Sequence, residues 1–194
     1  MQLPERVTVV GAGTMGNGIA QVFAANGVPT VLCDLEQAFL DRGVAAVDKS
    51  LSRFVQKEKI TAEQKDATMQ RLEVSTDLAK AVGGSQLVVE AVSENVEVKK
   101  AIFQTADKNA PKGAILASNT SSISITVLGA ATQRSNQVIG MHFMNPVPLM
   151  KLVEVIRGQD TDDDTTKAVM AWSEALGKIP VDAQDYPGFI SNRV

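Results

Sequence analysis

The sequence predicts an α/β fold with a doubly wound, mostly parallel sheet. Three observations predict it. Short β-branched strands alternate with helical segments along the chain, a glycine-rich turn joins the first strand to the first helix, and aromatic residues make up only 4% of the chain. Val, Ile, Leu, Ala and Met must then fill the core, as they do in parallel sheets covered by helices on both faces.

The elements follow in order. Arg6 to Val10 is an apolar run, read as the first strand. The glycine turn comes next, then a helix from about Thr14 to Asn26 and a strand from Val28 to Cys33. Glu36 to Ile60 reads as a long helix, because Phe39, Val44, Val47, Leu51, Phe54 and Val55 recur at intervals of three and four. Thr61 has the position of an N-cap, with Gln64 three residues on as its capping-box partner. Val74 to Thr76 is a minimal third strand. Strands are then expected at Gln86 to Val92, Ala114 to Ser118, Gln137 to Phe143, Lys151 to Arg157 and Ile179 to Ala183. Helices are expected at Val96 to Asn109, Ile123 to Ala130 and Thr165 to Leu176.

At 194 residues the chain suits one domain, or one domain and a fragment of another. The stretch Tyr186-Pro187-Gly188-Phe189-Ile190 reads as a linker that opens a new helix, with a domain boundary near residue 185. Residues 1–185 are therefore expected to form one domain, and 186–194 the start of a truncated helical domain. A net charge of −3 argues against nucleic acid, since neutralising many phosphates demands a basic surface. No apolar run has the length of a membrane span, and the N-terminus lacks the features of a secretory signal, so a cytoplasmic protein is expected. Cys33 is the single cysteine, which excludes a disulfide framework and a cysteine-based metal site within one chain. No metal is expected.

Gly11-Ala12-Gly13-Thr14-Met15-Gly16 matches G-x-G-x-x-G, in its full context of strand, turn and helix. The first glycine permits the turn, the second lets a pyrophosphate approach the backbone, and the third lets helix and strand pack closely. Free N–H groups at the helix start, with the helix dipole, would receive the pyrophosphate. Asp34 ends the second strand, where its carboxylate can take two hydrogen bonds from a ribose diol and would repel a 2′-phosphate. The reading is a Rossmann-type site for NAD. Cys33 is read as a small buried hydrophobe.

His142 is the only histidine, and it stands at the end of the strand Val138-Ile139-Gly140-Met141. Strand ends are where such sheets bind ligands, and imidazole suits the transfer of an alcohol proton near neutral pH. Glu154 lies inside the next apolar strand and needs a partner if buried. A turn between the two strands would let Glu154 pair with His142, fixing its tautomer and stabilising the imidazolium. Glu90, also inside an apolar strand, has no partner that the sequence identifies.

Three runs resemble the 3-hydroxyacyl-CoA dehydrogenase family: Gly140-Met141-His142-Phe143-Met144-Asn145-Pro146 with its continuation to Glu154, Ala117-Ser118-Asn119-Thr120-Ser121-Ser122, and Pro187-Gly188-Phe189-Ile190-Ser191-Asn192-Arg193. The resemblance extends over the whole chain, and the short-chain bacterial 3-hydroxybutyryl-CoA branch is the most similar. It implies reversible NAD-dependent oxidation of a (3S)-3-hydroxyacyl-CoA. It also implies His142 as general base, Glu154 orienting it, Ser121 on the reacting oxygen and near the cofactor, and Asn192 completing the site. Asn145 would contact substrate or the nicotinamide ribose, and Glu94 and Lys99 would touch NAD. Met144 departs from the phenylalanine of many members. Ser50 and Lys57 match positions that hold coenzyme A; Lys49, Arg53 and Lys57 share one helix ridge, and Lys49 and Arg53 are read as a solvated face. The resemblance further implies a helical second domain that forms a homodimer. Two alternatives stay open: a dehydrogenase of a free β-hydroxy acid, and an NAD-binding fragment with little activity.

Overall fold

The computed structural model describes residues 2–186. The sheet strands are β1 (Val7–Val10), β2 (Thr30–Cys33), β3 (Leu72–Ser75), β4 (Leu87–Glu90), β5 (Ile115–Ser118), β6 (Val138–Phe143), β7 (Leu152–Arg157) and β8 (Ile179–Gln184). The helices are α1 (Thr14–Ala25), α2 (Gln37–Gln56), α3 (Ala62–Gln70), α4 (Leu78–Val82), α5 (Val96–Asn109), α6 (Ile125–Gly129) and α7 (Asp163–Ala175). All eight strands form one sheet in the order β3-β2-β1-β4-β5-β6-β7-β8. Every neighbouring pair is parallel except β6 and β7. The exception follows from chain length: residues 144–151 make a turn, and a parallel return would need a crossover of a dozen residues or more.

Two apolar layers sandwich the sheet. One joins Val7, Val9 and Phe143 with Ile19 and Phe23 of α1, Leu40 of α2 and Val169 of α7. The other joins Val10, Val88 and Ile156 with Phe103 of α5 and Leu128 of α6. Alternate residues of a strand thus face opposite helical layers, which is why the strands read as continuous apolar runs.

Several elements depart from expectation at their edges. α2 stops at Gln56, short of Ile60, and Glu58 follows with φ 54. The third strand starts at Leu72, two residues earlier than read, because it pairs in register with β2 from Thr30 onward. α4 was not anticipated; its five residues are started by Asp77, whose side chain accepts from the Lys80 N–H. α7 likewise starts earlier, on Asp162, whose carboxylate accepts from the Thr165 N–H. The capping box at Thr61 and Gln64 is present as read, with bonds of 3.2 and 2.9 Å. Among the described residues no helix is long and apolar enough to cross a membrane.

Candidate active site

The sheet reverses its winding between β1 and β4, and a crevice opens there beyond the strand ends. Gly11, first in the glycine turn, has φ +105, and a Cβ there would lie 2.6 Å from the Ala91 carbonyl oxygen. A Cβ on Gly16 would run into the Gly11 carbonyl, so α1 packs on its own turn only without a side chain at that place. Gly13 differs: its φ is −65, and a Cβ on it would meet no atom within 4 Å. Nothing inside the protein demands glycine at 13. Gly13 is also the N-cap of α1, with no capping side chain and no acid in the first turn. The first N–H groups and the positive end of the dipole thus face an open space, beside the exposed Thr14 and half-buried Met15.

A cleft of about 780 Å³ continues from this turn, lined by Asp34, Leu35, Phe39, Arg42, Val92 and Ile102 among others. Asp34 Oδ2 accepts the Ala12 N–H at 2.6 Å, and Oδ1 accepts the Leu35 N–H at 2.7 Å. Two acceptor sites of the carboxylate are so used, and an ionised carboxylate offers about four. Asp34 can therefore hold the glycine turn and receive a ribose diol together. Arg42 lines the same cleft with its guanidinium 4.7 Å over the Phe39 ring. Cys33 is buried and its thiol pKa is pushed up to about 11, by burial first and then by Asp34 and Asp77, so the thiolate is disfavoured.

Glu90, unexplained in the sequence, is the centre of a buried polar network. Its carboxylate takes the Lys99 ammonium at 2.7 Å, the Ser118 hydroxyl at 2.6 Å and the Val92 N–H at 2.6 Å. The Lys99 side chain is 1% exposed and also lies 3.6 Å from Glu94 Oε2. The Lys99 charge is taken up by Glu90 inside the protein, with Glu94 on its outer side. Glu94 faces outward and grips the loop after β5: it accepts from Thr120 Oγ1 at 2.8 Å, the Ser121 N–H at 2.8 Å and Ser121 Oγ at 3.2 Å. Burial alone would raise the Glu94 pKa, but these hydrogen bonds and the Lys99 charge together hold it below the usual carboxylate range.

His142 and Glu154 are register partners across β6 and β7. Nδ1 of His142 lies 2.7 Å from Glu154 Oε2, and the Glu154 side chain is 1% exposed. A carboxylate on Nδ1 fixes a proton there and leaves Nε2 as the basic nitrogen. Asn119 Oδ1 accepts the Phe143 N–H at 2.8 Å, tying the serine loop to the end of β6. One continuous hydrogen-bonded wall therefore runs from Glu90 through Glu94 and the Ser121 loop to the His142 strand. Asn145 is exposed in the turn after β6.

Ser50 is half-buried in α2 and Lys57 is exposed at its C-cap. Lys49 and Arg53 are exposed, as a solvated face should be. Asn192 and the expected start of a helical domain lie outside the described residues. The sequence reading missed Thr120, Ser118 and Lys178 as supports. The hydroxyl residues Ser118 and Thr120, alternating from the end of β5, were the available signal for the first two. Among the described residues, no group of three or more His, Cys, Asp or Glu side chains is placed to hold a metal.

The strand order β3-β2-β1-β4-β5-β6, with a glycine turn opening on an uncapped helix at the reversal, is that of the Rossmann-type dinucleotide-binding domains. Comparison with known proteins narrows this class. Residues 6–186 match the family model described as 3-hydroxyacyl-CoA dehydrogenase, NAD binding domain. A probable 3-hydroxybutyryl-CoA dehydrogenase of Deinococcus radiodurans is 48% identical over 186 residues, covering 96% of this chain and 66% of that protein. One of the same description from Bacillus subtilis is 44% identical over 190 residues, covering 98% and 66%. The crystal structure of (S)-3-hydroxybutyryl-CoA dehydrogenase from Ralstonia eutropha superposes with a TM-score of 0.95 at 46% identity, covering 98% of this chain and 67% of that one. The chain belongs to the 3-hydroxyacyl-CoA dehydrogenase family, and its matched part is the NAD-binding domain. It spans about two thirds of the length of these relatives.

Proposed function

We propose that the protein takes part in the reversible, NAD-dependent oxidation of a short-chain (3S)-3-hydroxyacyl-CoA, such as 3-hydroxybutyryl-CoA, to the 3-ketoacyl-CoA. The observation that carries this reading is the His142–Glu154 pair at the end of β6, 2.7 Å apart, on the side of the sheet where the β1–β4 crevice opens. The names of the relatives support the thioester substrate.

In this reading His142 Nε2 accepts the proton of the 3-hydroxyl while the C3–H bond gives up its electron pair and C3–O becomes a carbonyl. When bound, NAD supplies the acceptor for that hydride. Glu154 stabilises the imidazolium that forms, and in the reverse direction the imidazolium returns the proton. Ser121, whose N–H and hydroxyl donate to Glu94, would hydrogen-bond the reacting oxygen by offering its hydroxyl oxygen to the 3-hydroxyl. The N–H groups of Thr14, Met15 and Gly16 would hold the pyrophosphate, Asp34 the adenosine ribose, and Glu94, Lys99 and Asn145 the surroundings of the nicotinamide. Lys99 acts there through Glu94. Ser50 and Lys57 would meet coenzyme A, and Asn192 would complete the site.

The test is NADH consumption with acetoacetyl-CoA, on this chain and on a form extended to the length of its relatives. Turnover should require the thioester, and free acetoacetate should not replace it. Equal rates with the free acid, or no turnover by the extended form, would sink the reading.

A further inference from the structure

Lys178 lies between α7 and β8 and carries a charge in an unusual setting. The residue is 8% exposed. Its ammonium donates to the carbonyls of Val147 at 2.5 Å and Met150 at 2.8 Å. Among the described residues no carboxylate pairs with it. A lysine that served only to fill space would extend its charge into water, and burying an unpaired ammonium costs stability that a methionine of similar length would not. Burial indeed pushes the Lys178 pKa below the ordinary lysine range. What the ammonium does, and a methionine could not, is bind those two carbonyls.

The carbonyls belong to the turn that joins His142 to Glu154. The turn also bonds within itself, through the Leu149 and Met150 N–H groups to the Pro146 carbonyl, each at 3.0 Å. The neighbouring residue adds a backbone tie, Ile179 N–H to the Lys151 carbonyl at 2.8 Å. On its other side the turn meets the cofactor helix. Val147 is 2% exposed, and a Cβ on Gly18 of α1 would lie 2.9 Å from the Val147 Cβ. The turn is thus caught between α1, whose first residues face the dinucleotide cleft, and the Lys178 ammonium.

We infer that Lys178 is a positioning residue that clamps the His142–Glu154 turn against the cofactor helix. It sets the distance between the base and the dinucleotide cleft without touching either. The inference rests on the catalytic reading of His142, but the clamp itself can be tested apart from it. Lys178 also lines a cavity of about 420 Å³, together with Pro148.

The experiment is hydrogen exchange read by mass spectrometry on this chain and on Lys178→Met and Lys178→Ala. Amides of residues 144–151 should exchange at least about tenfold faster in both variants, while β1 and β4 keep their protection. Propylammonium should restore protection of that segment in Lys178→Ala and have no effect in Lys178→Met, where the side chain fills its place. Unchanged exchange in Lys178→Met overturns the clamp. Loosening spread over the whole chain, with no recovery by the amine, also overturns it, since that marks a general structural role. With an active form, kcat for acetoacetyl-CoA should fall about tenfold in Lys178→Met with NADH affinity within about twofold, because a misplaced base slows the chemical step and not binding. A folded Lys178→Met with unchanged kcat refutes the positioning role. Failure of the wild type to turn over acetoacetyl-CoA refutes the catalytic reading alone, and the exchange data stand.

Discussion

His142 and Glu154 face each other directly across the antiparallel strands β6 and β7, with Nδ1 2.7 Å from Oε2. The pair is made by register, so neither side chain needs a loop to bring it into place. Because Glu154 is buried, its charge acts on the imidazole through a medium of low dielectric.

His142→Gln should lower kcat/KM for acetoacetyl-CoA about 100- to 10,000-fold, the usual range for removing a general acid–base group. Glu154→Gln keeps the shape and removes the charge, and should cost less. NADH titration by fluorescence should give nearly the same affinity for both variants. A His142→Gln protein with the wild-type rate would exclude the imidazole from the chemistry.

Asp34→Asn should weaken NADH binding about tenfold or more, as expected when hydrogen bonds to a charged group are lost. It should narrow the preference over NADPH, since the carboxylate no longer repels a 2′-phosphate and Arg42 lines the same cleft. Titration of both nucleotides checks this. Equal NADH affinity in variant and wild type would leave Asp34 as a support of the glycine turn only.

Glu90→Leu leaves the buried Lys99 ammonium with only Glu94 at 3.6 Å and the Val92 carbonyl, and should destabilise the fold by about 3 kcal/mol. The double variant Glu90→Leu/Lys99→Met removes both charges and should recover much of that loss. Urea unfolding measures both. The recovered protein should still bind NADH less well, because Glu94 has lost the lysine beside it.

Asp185 gives a pH dependence of defined sign. Its carboxylate accepts from Ser124 Oγ, the Ile125 and Thr126 N–H groups and Thr126 Oγ1, holding the start of α6 from a distant strand end. Burial alone would raise its pKa, and these four bonds outweigh that and depress it below the usual 3.8. A depressed folded-state pKa contributes stability at neutral pH, where the carboxylate is ionised in both states. That contribution declines as pH falls from about 3.8 through the folded-state value. Asp185→Asn should lower stability at neutral pH by about 1–2 kcal/mol, as loss of a helix cap does, and flatten the acid limb of the Tm–pH curve. Parallel acid limbs in the two proteins would contradict this.

Much of the fold can be read along the chain. Strand alternation, the glycine turn and the capping box at Thr61 are local patterns, and the structure places each where the pattern lies. α4 escaped because five residues carry too little periodicity to stand out. The His142–Glu154 pairing was legible because a turn of known length leaves two strands one way to meet. The pairing of Lys99 with Glu90 was not, because nothing in its own neighbourhood tells whether a lysine nine residues beyond Glu90 turns inward to that acid.

Spacing along the chain is enough to give the strands and the longer helices, the dinucleotide turn and the place of the single imidazole. These depend on interactions between residues close in the chain, where spacing is geometry. Packing of the layers is what brings Glu90, Ser118 and Lys99 into one buried charge network, sets Asp185 on α6, and puts Lys178 on the turn behind His142. Each of these joins different elements of the fold, and which buried charge meets which partner is settled when the layers pack and water is expelled.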